Sequence, residues 1–87
     1  MATITREEIV NLYEDEEFVF ADGFDDCIIG VAERFGQPSV VSYSKSKIIR
    51  SLQTEMSEEE AYEFFHYNIL GAYVGERTPI FIDELDD

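Results

Sequence analysis

The chain has 87 residues, 45% of them hydrophobic, with 20 acidic and six basic side chains and a formal net charge of −14. One domain is all that this length supports, and the apolar content is too high for disorder by composition. So negative a surface excludes direct binding to nucleic acid or to an anionic membrane through the body of the protein. The single cysteine, Cys27, allows no internal disulfide. There is no basic-then-apolar leader pattern and no apolar run of spanning length, so the expectation is a cytoplasmic protein with no membrane partner.

The first element is a helix with a reciprocal cap, Thr5 pairing with Glu8, and with Ile4 and Ile9 at the staple positions. Its apolar stripe is Ile9, Leu12 and Tyr13. The run Glu14 to Glu17 then ends it, because acids are unfavourable at the negative end of a helix dipole. Phe18-Val19-Phe20 reads as a short extended piece before a turn at Asp22-Gly23.

Cys27 to Phe35 is rich in β-branched residues. With the turn Gly36-Gln37-Pro38 and the strand Ser39 to Tyr43, it predicts a hairpin. Ser44 caps a second helix carrying Ile48, Ile49 and Leu52. Ser57 and Glu60 form another capping box and open a third helix. Ala61, Phe65, Ile69 and Ala72 line one face of that helix, and Gly75 is its expected end. Thr78-Pro79-Ile80-Phe81-Ile82 predicts a last strand, with proline at its start, where a missing donor is tolerated.

The order α-β-β-α-α-β predicts an α+β fold: a small, mainly antiparallel sheet of about three strands, with helices on one face. The domain spans 1–87, and 83–87 is expected to be a frayed acidic tail.

From Asn68 to Pro79 the chain resembles a group of small bacteriophage proteins of unknown function. These carry Asn-x-x-Gly-Ala-aromatic-x-Gly-acid-x-Thr-Pro at the end of an acidic amphipathic helix. The matching residues are Asn68, Gly71, Ala72, Tyr73, Gly75, Glu76, Thr78 and Pro79. The resemblance continues upstream through Ile28-Ile29-Gly30, Phe35-Gly36-Gln37-Pro38, Tyr43, Lys47, Leu52 and Ser57-Glu58-Glu59-Glu60-Ala61. The first helix lies outside it, and Ser44 stands where the group has an acid. The resemblance implies a phage or prophage origin and action inside a bacterial cell. It supplies no activity.

Four groups of residues are candidates for function. Asn68, three and four positions after Phe65 and Phe64, is expected to face the core. There it would act with Thr78 as a polar clasp on the Gly75–Thr78 turn, since a buried amide needs partners. Ser44, Lys45, Ser46 and Lys47 open a helix directly after a strand and form a weak candidate for anion binding. The alternative is neutralisation of the two lysines by acids of the same chain.

Third, the acidic rows at 14–17, 58–63 and 83–87 present carboxylates that either mimic nucleic-acid phosphates or only solvate the surface. Last come the aromatics. Seven Phe and five Tyr exceed what so small a core hides, and Tyr62, Tyr67 and Tyr73 cannot share one helical face. These three are the expected interface residues.

Cys27 and His66 have no spacing that points to a nucleophile and base. Asp22 to Asp26 lacks the ligand spacing and closing glutamate of a calcium loop. No catalytic residue, metal or cofactor is expected.

The functional expectation is therefore a non-catalytic protein-interaction role with a host or phage protein, with a homo-oligomer possible. The alternatives are an acidic nucleic-acid mimic that blocks a host nucleic-acid-binding or defence protein, and a small anion-binding module or enzyme.

Overall fold

Two of the three helices begin where reciprocal capping places them. The computed structural model describes residues 5–85. In α1 (Arg6–Leu12) the Glu8 amide donates to Thr5 Oγ1 at 3.1 Å and the Thr5 amide donates to Glu8 Oε1 at 3.0 Å. Ile4, the expected staple residue, lies outside the described residues. In α3 (Glu58–Phe64) the Glu60 amide donates to Ser57 Oγ at 3.2 Å and the Ser57 amide to Glu60 Oε1 at 3.0 Å. The Ser57 amide, and then the Ser57 hydroxyl, hold the Glu60 carboxyl below its ordinary range. Between them lies α2 (Lys45–Leu52), where the Lys47 amide donates to Ser44 Oγ at 3.3 Å.

The expected hairpin is present as β1 (Ile28–Arg34) and β2 (Gln37–Ser44). The two strands pair antiparallel, with Ile28 opposite Tyr43, Val31 opposite Val41, Ala32 opposite Val40 and Arg34 opposite Gln37. The connection is therefore the two residues Phe35-Gly36, one position earlier than the sequence suggested. Gly36 takes the left-handed conformation, φ 77°, which a side chain resists there.

The third strand, β3 (Ile80–Ile82), lies parallel to β2 in the order β1-β2-β3. The sheet is thus mixed, and the mainly antiparallel expectation is corrected for this strand. The cause is the long return of the chain after α3. Arg77 Nη1 donates to the Ser39 carbonyl at 2.9 Å, near the beginning of β2. The chain consequently enters β3 from the same end as β2.

Register assigns the two faces of the sheet. Ile28, Val31, Val41, Tyr43 and Phe81 share one face, and Gly30, Ala32, Val40, Ser42 and Ile80 share the other. The first face meets Ile9 of α1, Ile48 and Ile49 of α2, Ala61 of α3 and Phe65, all buried in a single cluster. This is an α+β arrangement with the helices gathered over one side of the sheet. No helix among the described residues is long and apolar enough to cross a membrane.

Tyr43 stands at the centre of that cluster. Its ring stacks on Phe81 at 5.7 Å, and Phe65 meets Phe81 edge-on at 5.4 Å. Its hydroxyl accepts the Ala21 amide hydrogen at 2.7 Å, fixing the irregular segment that precedes β1. The same segment is held farther back by Arg77, which pairs with Glu16 at 2.9 Å and lies 5.4 Å over the Phe18 ring.

The third helix departs from expectation beyond Phe64. Ala61 and Phe65 are buried and Ile69 is partly so, as the stripe requires. Residues Phe65–Leu70, however, form a π-helical segment, and the helix ends at Gly71 rather than Gly75. A Cβ on Gly71 would sit 3.3 Å from the carbonyl oxygens of His66 and Tyr67, so the wide turn closes against bare backbone. Ala72, beyond that stop, is exposed.

Burial pushes the Tyr43 phenol above its ordinary value of 10.0, more than the Ala21 hydrogen bond lowers it. The unfolded phenol therefore loses its proton first as pH rises. The resulting stability is complete below about pH 10 and falls as pH climbs through the folded value. Tyr43→Phe should remove that part of the alkaline loss. At neutral pH it should cost about 1–2 kcal/mol by leaving the Ala21 N–H unpaired. Melting temperatures of both proteins from pH 7 to pH 11 check both effects.

Candidate functional site

The helix entry at Ser44 is already occupied by the chain's own acids. Ser44 is fully buried, and its Oγ donates to Glu84 Oε1 at 2.5 Å while lying 3.2 Å from Ser46 Oγ. Lys45 Nζ lies 3.7 Å from Asp83 Oδ2. Glu84 thus occupies the place an external anion would take, beside the positive end of α2. Asp83 and Glu84, the first two residues of the expected tail, make these contacts with α2 and its cap. Leu85 is exposed, and the last two residues of the expected tail lie outside the described residues.

The two lysines do not converge. Residues two apart on a helix point to different sides, and here they line different depressions. Lys45 belongs with Tyr62 and Phe65, whereas Lys47 joins Arg50, Asp26 and Cys27 on the other side of α2. The four residues Ser44 to Lys47 are therefore not a single anion pocket.

The tyrosines are exposed, at 47% for Tyr62, 75% for Tyr67 and 78% for Tyr73, but they form two sites rather than one. Tyr62 and Tyr67 border an open depression of about 350 Å³ with Lys45, Glu63, His66 and Leu70. Lys45 Nζ is 5.8 Å from the Tyr62 ring and 5.7 Å from the Phe65 ring, within cation–π range. The His66 ring meets Tyr67 edge-on at 5.3 Å. Tyr73 instead overhangs a larger trough, about 690 Å³, on the outer face of the sheet beside Val40 and Ile80.

Asn68 is exposed, which corrects the expectation that it faces the core. The π-helical turn explains the difference. At about 82° per residue, the third position after Phe65 swings roughly 115° away from it, against about 60° in an α-helix. Ile69 stays inward while Asn68 turns to water. The clasp on the following turn is made by Thr78 alone. Its Oγ1 accepts the Val74 amide hydrogen at 2.9 Å and donates to the Gly75 carbonyl at 2.6 Å. The sequence signal that could have found Lys45 and His66 as companions of the tyrosines was their exclusion from the core stripe.

The Cys27 thiol is buried and raised above its ordinary value by that burial, then by Asp26. His66 lines the tyrosine depression, and Cys27 lines another. Asp25 and Asp22 both face Arg6, at 3.0 and 3.7 Å, so this segment's carboxylates take a guanidinium. Among the described residues no group of three or more His, Cys, Asp or Glu is placed to hold a metal ion.

No family model, curated protein or solved structure matches the chain.

Two substitutions separate the clasp residues. Asn68→Ala should change stability by no more than about 0.5 kcal/mol, as for other exposed positions. Thr78→Val should cost about 1 kcal/mol, because two hydrogen bonds lose their hydroxyl. Urea denaturation of the two variants checks the contrast. At the helix entry, a double-mutant cycle with Ser44→Ala and Glu84→Ala should give a coupling of at least about 0.5 kcal/mol.

Proposed function

We propose that the chain is a non-catalytic protein-interaction module of bacteriophage type, acting in the bacterial cytoplasm on a host or phage protein. The observation that carries this reading is the gathering of Tyr62, Tyr67 and Leu70, all exposed, around one shallow depression with Lys45, Glu63 and His66 at its rim. Aromatic and aliphatic groups at the centre with charged groups around them are the composition of a protein contact. Tyrosine supplies large contact area at low entropic cost. The phage and cytoplasmic parts of the reading rest on the Asn68–Pro79 resemblance and on the single free cysteine.

The nucleic-acid-mimic alternative is weakened by how the acids are used. Glu16 is paired with Arg77, Asp22 and Asp25 with Arg6, Asp83 with Lys45, and Glu84 with Ser44. Glu8 and Glu60 serve as caps. Within the three rows, Glu16, Glu60, Asp83 and Glu84 are thus each engaged inside the chain, which removes four carboxylates from the array a phosphate mimic would present. The anion-module alternative loses its pocket to Glu84 and to the divergence of the lysines.

Capture from a bacterial lysate, with wild-type protein and a Tyr62→Ser/Tyr67→Ser variant as baits, tests the reading. The same species should be retained at about 0.1 M and about 1 M salt, since tyrosine anchoring is little screened. The double variant should lose it with an unchanged melting temperature. Retention by the variant, or release by salt alone, would favour the acidic mimic.

A further inference from the structure

The trough on the outer face of the sheet is separate from the Tyr62–Tyr67 depression, and the buried cluster lies on the opposite side of the strands. Ala32, Val40 and Ile80 give it an apolar floor, and Tyr73, which is exposed, also lines it. Its wall is held in place by the chain itself. Thr78 bonds to Val74 and Gly75, and Arg77 ties the same segment to the Ser39 carbonyl and to Glu16. A recess on fixed backbone gives up little entropy when it is filled, and about 690 Å³ is in the range of ligand-binding clefts. The charged groups of the lining are Glu33, Glu76 and Arg34, all exposed and none in a salt bridge among the described residues. Two acids against one base leave the trough negative, on a chain of net charge −14. The local and the overall field both favour a cationic occupant, and both oppose a second copy.

We propose that this trough binds an extended, cationic segment of a partner protein, with apolar side chains on the floor and lysine or arginine side chains at Glu33 and Glu76. An extended segment alternates its side chains between two faces, so apolar groups turn to the sheet while basic ones reach the exposed acids. Tyr73 offers a ring face to the same cations. Arg34, a donor only, suits a backbone carbonyl of the bound segment. The inference does not rest on the Tyr62–Tyr67 reading, which concerns another surface.

Titration of the isotopically labelled full chain with short blocked peptides, alternating valine with lysine, glutamine or glutamate, tests the proposal by NMR. The lysine peptide should give saturable amide shifts confined to 32–40 and 73–80. Its affinity should exceed that of the glutamine peptide at least about tenfold, and the glutamate peptide should not bind. With melting temperature unchanged, Glu33→Gln/Glu76→Gln should weaken the lysine peptide at least about fivefold, and Tyr73→Ser about threefold. Glu58→Gln/Glu59→Gln removes the same charge outside the trough and should cost less than about twofold. Tyr62→Ser/Tyr67→Ser should bind the peptide as wild type does, which separates this site from the other surface. An absence of saturable shifts, shifts spread over the acidic surface, or equal losses in the two glutamate pairs overturns the proposal.

Discussion

The aromatic stack of Tyr43 on Phe81, closed by the edge of Phe65, is the contact on which the arrangement depends. It joins the central strand, the parallel strand and the third helix at one point. The Tyr43 hydroxyl adds a fourth element by taking the Ala21 amide hydrogen. A domain of this size buries only a modest core, so few residues must each serve several elements. Ile9, Ile28, Ile48 and Ala61 complete the cluster around that stack.

Much of this was legible from residues with a strong local mechanism. Thr5 with Glu8 and Ser57 with Glu60 form their caps because both halves of each cap lie within four residues. The hairpin followed from a β-branched run, a glycine and a second β-rich run. The direction of β3 was not legible, because it depends on Arg77 reaching the Ser39 carbonyl across the fold. The π-helical turn was equally hidden. Phe65 and Ile69 satisfy an α-helical stripe and a π-helical one alike, and only Asn68 distinguishes them.

The candidate site shows the same division. That Tyr62, Tyr67 and Tyr73 cannot all share one helical face was readable, and their exposure agrees with it. Their separation into two surfaces was not, because it depends on where the helix stops. Ser44 was readable as a cap, and neutralisation of the lysines by acids of the chain was one of the two outcomes weighed. Only Lys45 meets such an acid, Asp83, while Glu84 takes the Ser44 hydroxyl, and both required the parallel strand to bring them there.

The position of β3 divides the molecule into two parts of unequal durability. The hairpin is local in sequence and paired over most of its length. The third strand has three residues, arrives from far along the chain, and is retained by its short pairing with β2, by the contacts of Phe81 with Tyr43 and Phe65, and by the two bonds of Asp83 and Glu84. Such a strand is a natural unit of sub-global opening. Its release would bare the far edge of β2 and unseat the cap of α2 together, so backbone amides there would exchange with solvent well before those shared by β1 and β2.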